Sequence, residues 1–475
     1  MRGILGDAGA AAQSCAIGSV KSMIGHTKCA AGVAGLIKAS LALYHKILPA
    51  TLHVEQPNAR TFDAESPLYV NSETRPWLQP EGGIPRRAGV SAFGFGGTNF
   101  HAALEEYRDD LLPEAPLHPR WPAELYLWAA PDKTGLQGAL NVLEAALDSG
   151  ARPAAADLAR NLAADFQRAA PGGIRLAIVA ADLADLRRQL AGCCAYLERG
   201  EALPAGVHLC DAPPLSADAV ALVFAGQGSQ YPNMLVDLSI QFPELRRAWE
   251  RADLVLQLHL EARLSSYVFP VPAFRKTERA AQAEALTRTD IAQPALGAAG
   301  MGLYRLLERL GLRGGHLAGH SYGEYVALCA AGVLSEDDLY RISYIRGRSI
   351  LAAAQETPGT MAAASADEQT VTAAIAGIAD VWPANLNSPR QTVLAGTEQG
   401  IAAACTRLEA AGIATRRLQV ACAFHSALVA PAQTRLARAL ADFTLNAPQI
   451  PVYSNTNAAA IPTIRRRLRP NWLST

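Results

Sequence analysis

A serine framed by glycines is the most chemically suggestive feature of this chain: Gly319-His320-Ser321-Tyr322-Gly323-Glu324. An apolar strand-like run, 316–318, leads into it, and a helix-like run, 322–332, leads out. A turn this tight holds the serine in a strained backbone conformation, and only hydrogen-sized side chains fit beside it. The Ser321 Oγ then stands at a helix N-terminus, where unpaired backbone N–H groups stabilise developing negative charge. The same G-x-S-x-G spacing occurs in ordinary loops, so by itself it leaves nucleophile and loop serine both open. Two other glycine-rich stretches invite a chemical reading. Gly226-Gln227-Gly228-Ser229-Gln230 follows an apolar run, and its glycines let backbone N–H groups point at a ligand. Ser91-Ala92-Phe93-Gly94-Phe95-Gly96-Gly97-Thr98-Asn99 is either a backbone that approaches something closely or a turn between two strands. His26, at the end of Lys21-Ser22-Met23-Ile24-Gly25-His26, sits at a strand-to-helix junction, where on spacing alone it reads as a cap or a core histidine.

The elements that must position these groups fall into three parts, as 475 residues at ~150 per domain suggest. Half the residues are hydrophobic, which is ample for full-sized cores, and 43 basic residues balance 43 acidic ones. A net charge of zero argues against nucleic-acid or anionic-membrane partners. The basic run Arg465-Arg466-Arg467-Leu468-Arg469 reads as a solvated helix face. Eight cysteines lack metal-ligand spacing, so no metal site is expected, and free thiols in a reducing cytosol are. The adjacent Cys193 and Cys194 point to different faces of a helix. There is no signal-peptide pattern at the N-terminus and no apolar run of about 18 residues, so the expectation is a cytoplasmic protein without a membrane span.

Along the chain, 15–20 reads as a short buried strand, followed by a small-residue helix over 27–45 suited to burial between two sheets. A shift to Pro, Glu and Arg over 112–122 marks a boundary. Beyond it, strand 124–129, helices 133–147 and 154–168, strand 174–180 and helix 183–198 form a small α/β domain without a catalytic constellation. The continuous apolar run 219–224 reads as a buried parallel strand. A helix opens at 289, and another over 336–351 carries Arg346. Then 360–364, 367–375, 381–385, 391–394, 399–411 and 414–418 alternate as βαββαβ, the order of a ferredoxin-like unit inserted in a larger α/β domain.

Four motifs in the first part, K-S-x-x-G-H at 21–26, A-A-G-V-A-G-L-I-K at 30–38, L-P-A-T-L-H at 48–53 and G-F-G-G-T-N at 94–99, resemble the C-terminal half of a beta-ketoacyl synthase of type I polyketide and polyunsaturated-fatty-acid synthases. The resemblance implies a thiolase-like half domain over 1–107, with His26 as a catalytic histidine, Lys21 as its support and the loop around Phe95 lining an acyl pocket. It also implies that the family's cysteine nucleophile and first histidine lie upstream of this chain. Cys15 and Cys29 do not stand in the nucleophile's context, so no condensation is expected from this part alone. The middle part, 108–217, resembles the linker domain of the same synthases.

From 218 to 475 the motifs G-Q-G-S-Q, Q-P-A-L, G-H-S-x-G-E, the Arg346-Gly347 pair, N-S-P-R-Q-T-V-x-A-G, A-F-H-S and P-V-Y-S-N resemble the malonyl-CoA:acyl-carrier-protein transacylases. That resemblance implies an α/β-hydrolase-like core with the ferredoxin-like subdomain at about 357–419. It makes Ser321 the nucleophile and His425 its general base, held by a backbone carbonyl near Asn455. It gives the oxyanion hole to the backbone N–H groups of Gln227 and Tyr322, the substrate carboxylate to Arg346, and further substrate contacts to Gln293, Phe424 and Asn455. The implied substrate is malonyl-CoA and the acceptor is the phosphopantetheine of an acyl carrier protein, with no bound cofactor. Phe424 before the histidine resembles the malonyl-selective pattern rather than the methylmalonyl one. A companion synthase chain or a second copy of this chain is the other expected partner. Two alternatives stay open: a serine hydrolase, which the elbow alone also fits, and an inactive, truncated fragment or scaffold whose exposed apolar surface lowers solubility.

Overall fold

The computed structural model describes residues 2–79, 83–107, 121–169, 172–213, 215–216, 219–418, 420 and 422–461; the basic run at 465–469 lies outside them. Two compact units divide the chain, Met1–Ala115 together with Val220–Thr475, and Pro116–Ala219.

In the first unit, strand Cys15–Ile17 pairs in parallel with Leu68–Val70. Arg87–Phe93 and Asn99–Glu105 form an antiparallel hairpin closed by Gly94–Thr98, the Gly94 N–H donating to the Thr98 carbonyl at 3.0 Å. The glycine-rich stretch is therefore a turn between two strands. Helix Ala31–His45 lays its small face on the hairpin, Gly32 against Ala92 and Gly35 against Val90. The helix departs from the expected burial between two sheets. Only Ala42 and Leu43 are buried, while Val33, Ile37, Leu41 and Tyr44 are exposed, because they lie on the side away from the hairpin.

The segment that follows is joined to the later half of the chain. Leu78 belongs to the same apolar core as Trp249, Tyr304 and Leu317. Arg86, nearly sealed from solvent, pairs with Glu106 at 2.8 Å and with Glu250. The Gln79 N–H donates to Glu250 at 2.9 Å, and Arg263 bridges the Gln79 carbonyl and buried Asp253. Charges this buried hold only while each keeps its partner.

The second unit is a three-stranded antiparallel sheet, with Ile174–Ala180 between Glu124–Ala130 and Val207–Cys210. Alternating burial along Ile174–Ala180 sets the core face. Helices Lys133–Asp148 and Leu183–Arg199 open on the side-chain caps of Asp132 and Asp182.

Back in the first unit, His316–Gly319 is the central strand of a parallel sheet, flanked by Ala221–Phe224 and Val452–Tyr453. Ala221–Phe224 is parallel as expected but not buried on both faces. It lies at the sheet's edge among the described residues, and Val223 is 72% exposed. Helix Thr289–Arg309 is almost wholly buried and packs on Pro243–Leu256 and Glu336–Glu356. The inserted sheet is antiparallel, in the order Val381–Ser388, Gln391–Gly396, Thr360–Ala364, Thr415–Leu418, the ferredoxin-like arrangement. Helices Glu368–Ile375 and Glu398–Ala410 cover one face, burying Ala362, Ala364 and Leu394. The other face buries Met361, Ala363 and Val393 against Ala423, next to Phe424.

Candidate active site

The elbow is built where the central strand ends. Ser321 has φ +51°, a left-handed conformation that costs a β-carbon-bearing residue energy and persists only when its surroundings impose it. The flanking glycines permit the turn. A Cβ on Gly319 would lie 1.9 Å from the Gly323 carbonyl carbon, and one on Gly323 would lie 2.2 Å from the Phe224 carbonyl oxygen. Helix Gly323–Ala330 then runs away from the serine.

His425 reaches this serine from a loop 104 residues later, its Nε2 2.8 Å from the Ser321 Oγ. It too has a left-handed backbone, φ +56°. The turn is pinned by Ser426, whose hydroxyl donates to the Ala423 carbonyl at 2.7 Å and accepts from the Leu428 N–H at 3.3 Å. Burial, with the nearby Arg346 and His320, pushes the His425 pKa down from 6.5 to about 4. The imidazole is therefore neutral at pH 7, and Nε2 can accept a proton when the tautomeric hydrogen is on Nδ1.

Arg346 projects from helix Glu336–Glu356 into the same cleft with 6% of its surface exposed. Among the described residues it forms no ion pair. Instead its guanidinium carbon lies 5.4 Å from the centre of the Tyr325 ring. The cleft, about 790 Å³, is lined by Ser321, His425, Arg346, Phe424 and Asn455, with a wall at Trp382–Leu386 from the inserted sheet. His320 ties the elbow to that sheet, its Nε2 donating to the Asn387 Oδ1 at 2.9 Å. Neighbouring Cys422 is no competing nucleophile, because burial pushes its thiol up to about 12.

The remaining candidates are placed differently. Gln293 is fully buried and off the cleft, its Nε2 donating to the Gln227 Oε1 at 3.1 Å while the Gln227 Nε2 donates to the Thr289 Oγ at 3.2 Å. The Tyr322 side chain is also fully buried away from the cleft, whereas the backbone N–H groups of Tyr322 and Gln227 carry no hydrogen bond among the described residues. The Asn455 side chain turns toward the elbow rather than His425, donating to the Gly319 carbonyl at 2.8 Å and to Glu324 at 2.9 Å. Glu324, buried and raised in pKa by that burial, was visible in the elbow motif without its role as the anchor for Asn455. In the first segment, Lys21 and His26 are both exposed with no hydrogen bond between them among the described residues. The His26 Nδ1 accepts the Lys28 N–H at 3.0 Å, and Phe95 points into solvent at the hairpin tip. Among the described residues no acid, histidine or cysteine cluster could hold a metal.

A serine–histidine pair in a cleft of an α/β core places this protein with the enzymes that pass acyl groups through a serine hydroxyl. Comparison with known proteins makes the class specific. The acyl transferase domain model matches residues 221–466, and the beta-ketoacyl synthase C-terminal domain model matches residues 1–55. The chain belongs to the acyl transferase domain family, preceded by a synthase-type segment as in type I polyketide synthases. It is 35% identical over 444 residues to the polyketide synthase GfsA of Streptomyces halstedii, covering 92% of this chain and 6% of that protein. It is 32% identical over 478 residues to a polyunsaturated fatty acid synthase of a Thraustochytrium species, covering 95% of this chain and 17% of that protein. The chain thus spans a small part of the curated relatives it matches. Among solved structures, the acyltransferase domain of an iterative polyketide synthase in enediyne biosynthesis superposes with a TM-score of 0.53 at 29% identity, covering 72% of this chain and 77% of that one. No helix among the described residues is long and apolar enough to cross a membrane.

Proposed function

We propose that the cleft moves a malonyl unit from coenzyme A to the phosphopantetheine thiol of an acyl carrier protein through an acyl-Ser321 intermediate. One observation carries this reading: a serine hydroxyl, a neutral imidazole 2.8 Å from it and a buried guanidinium without an acid partner among the described residues share one cleft. The His425 Nε2 takes the hydroxyl proton as Oγ bonds to the thioester carbonyl carbon. The tetrahedral intermediate collapses, the C–S bond breaks, and the imidazolium returns its proton to the coenzyme A sulfur. The carrier's thiol then attacks the serine ester, with His425 taking the thiol proton and returning it to Ser321. The N–H groups of Gln227 and Tyr322, unpaired among the described residues, suit the oxyanion, each such donor being worth roughly 3–4 kcal/mol of barrier. Arg346 holds the malonyl carboxylate through a two-pronged charge-assisted bond. Gln293 supports the loop of Gln227 from behind. Phe424 crowds the carbon between the two carbonyl groups, which favours malonyl over methylmalonyl.

A hydrolase of neutral esters would gain nothing from a buried Arg346 that forms no ion pair among the described residues. The reading puts the reaction in the cytoplasm, in keeping with eight cysteines that are all free. The test uses radiolabelled malonyl-CoA with and without a holo carrier protein. Label is expected on the wild-type chain, passing to the carrier when present, and absent from Ser321→Ala. Free malonate at the same rate with and without carrier would establish the hydrolase instead. Undiminished labelling of Ser321→Ala would remove Ser321 from the site.

A further inference from the structure

We infer that Tyr325 is a positioning residue for carboxylate selection: its ring face, with Tyr322 stacked beside it, holds the Arg346 guanidinium in place. The inference rests on the reading that Arg346 receives the acyl carboxylate. An unpaired guanidinium that is only 6% exposed has lost most of its water and has gained no acid among the described residues. Left so, it would swing toward solvent or recruit a neighbouring carboxylate. Glu324, whose carboxyl feels the Arg346 charge, is already engaged by Asn455. What faces the guanidinium is the Tyr325 ring, 4% exposed, with the guanidinium carbon 5.4 Å from its centre, within cation–π range.

The ring itself has a stacked aromatic neighbour. Tyr322 lies nearly parallel to Tyr325, with centroids 6.1 Å apart and planes at 13°. The Tyr322 hydroxyl donates at 2.6 Å to Ser343, whose own proton goes to the Leu339 carbonyl. Ser343 lies one turn before Arg346 on the same helix. Room for the Tyr322 hydroxyl comes from Gly297, where a Cβ would lie 2.6 Å from it. Ser343, Tyr322, Tyr325 and Arg346 thus close a loop from one helix to the elbow helix and back. Burial keeps both phenols protonated, so the shelf under the cation is a neutral π face rather than a phenolate that would compete with the substrate's carboxylate. A cation held by a ring face keeps its edge N–H groups free for a two-pronged carboxylate, which an acid partner would occupy.

The test compares malonyl-CoA with acetyl-CoA, which lacks the carboxylate, in acyl-enzyme formation on the full chain. Tyr325→Leu is expected to raise KM for malonyl-CoA about tenfold, with kcat and the acetyl-CoA reaction little changed. Tyr325→Phe is expected to restore most of the preference. Because the site is buried and the leucine variant could fail to fold, phenylalanines carrying one, two and three fluorines at position 325 provide a shape-conserving series. Malonyl preference should fall stepwise as fluorine drains the ring's negative face. Equal losses for both substrates, or a flat fluorine series, would reduce Tyr325 to a packing residue and overturn the inference. Arg346→Ala separates the two readings. If it abolishes malonyl preference while the Tyr325 variants do not, only the tyrosine's role falls. If it leaves the preference intact, the carboxylate reading falls and the shelf with it.

Discussion

Two glycine-rich regions of this chain invite a chemical reading, and the structure treats them oppositely. Around Ser321 the backbone is forced into a left-handed turn, an imidazole arrives from 104 residues away, and a desolvated guanidinium closes the cleft. Around His26 and Phe95 the side chains point to solvent, and the histidine's ring nitrogen is spent on the N–H of Lys28. The difference teaches that a motif becomes a site through convergence of distant elements and removal of water, not through its own residues. Near Ser321 a proton transfer has donor and acceptor in hydrogen-bond contact. Near His26 the lysine and the imidazole share no hydrogen bond among the described residues.

The sharpest way to break the contrast is to remove one histidine from each region. His425→Ala is expected to slow acyl-enzyme formation by about 10⁴-fold or more, the scale seen when one member of a nucleophile–base unit is lost. His26→Ala is expected to leave the same rate unchanged. Labelling kinetics on the two purified variants decide, and a comparable loss in both would erase the distinction.

The regions differ in chemistry yet share a core, and the ion-pair network around Arg86 tests that. Arg86→Ala removes the buried cation shared by Glu106 and Glu250 and should cost about 3–5 kcal/mol of stability, read from urea unfolding followed by Trp249 and the other tryptophans. Val33→Ala, on the exposed face of helix Ala31–His45, should shift it by no more than about 0.5 kcal/mol. A negligible effect at Arg86 would mean that the first segment contributes nothing to the core it touches.

Substrate choice should respond on a smaller scale. Phe424→Ser is expected to raise methylmalonyl relative to malonyl use by about tenfold, one methyl group being worth ~1–3 kcal/mol in such a pocket. Competition between the two thioesters measures it, and an unchanged ratio would place the selecting wall elsewhere, with Trp382 and Leu386 the next residues to change.

The gentlest effect is on pH. With the His425 pKa lowered from 6.5 to about 4, the acid limb of kcat/KM for acylation should fall near pH 4. Stability follows the same shift. The unfolded chain protonates this histidine below about 6.5 while the folded chain keeps it neutral to about 4, so its contribution is complete above 6.5 and declines between those values as pH falls. His425→Gln should flatten that decline. An acid limb at 6.5 would show an imidazole in water rather than one sealed beside Arg346.

What could be read in advance follows from how local each determinant is. The ferredoxin-like order was legible because each element carries its own period and start signal, Asp367 and Thr397 capping helices Glu368–Ile375 and Glu398–Ala410. The strand Ile174–Ala180 was legible from its alternation, whereas Val207–Cys210, four residues long, gave too little pattern to register. An apolar run cannot say whether a strand lies inside a sheet or at its edge, hence the wrong burial expected for Ala221–Phe224. Helix Ala31–His45 misled for a related reason. Its alanines describe the face that meets the hairpin and are silent on what covers the other. At the site, the motifs located Ser321, His425 and Arg346 as residue types. The fit of Tyr322 between Gly297 and Ser343, and the turn of Asn455 toward Glu324, are long-range pairings that no local spacing encodes.

The wall at Trp382–Leu386 belongs to the inserted sheet, whose helix-covered face closes on its own apolar layer, while Ser321 rides on the parallel core. Reactivity and fit are therefore drawn from two frameworks that meet along one seam. On the proposed reading, residues of that wall can be exchanged without disturbing Ser321 and His425, so new extender preferences are best sought there rather than at the elbow.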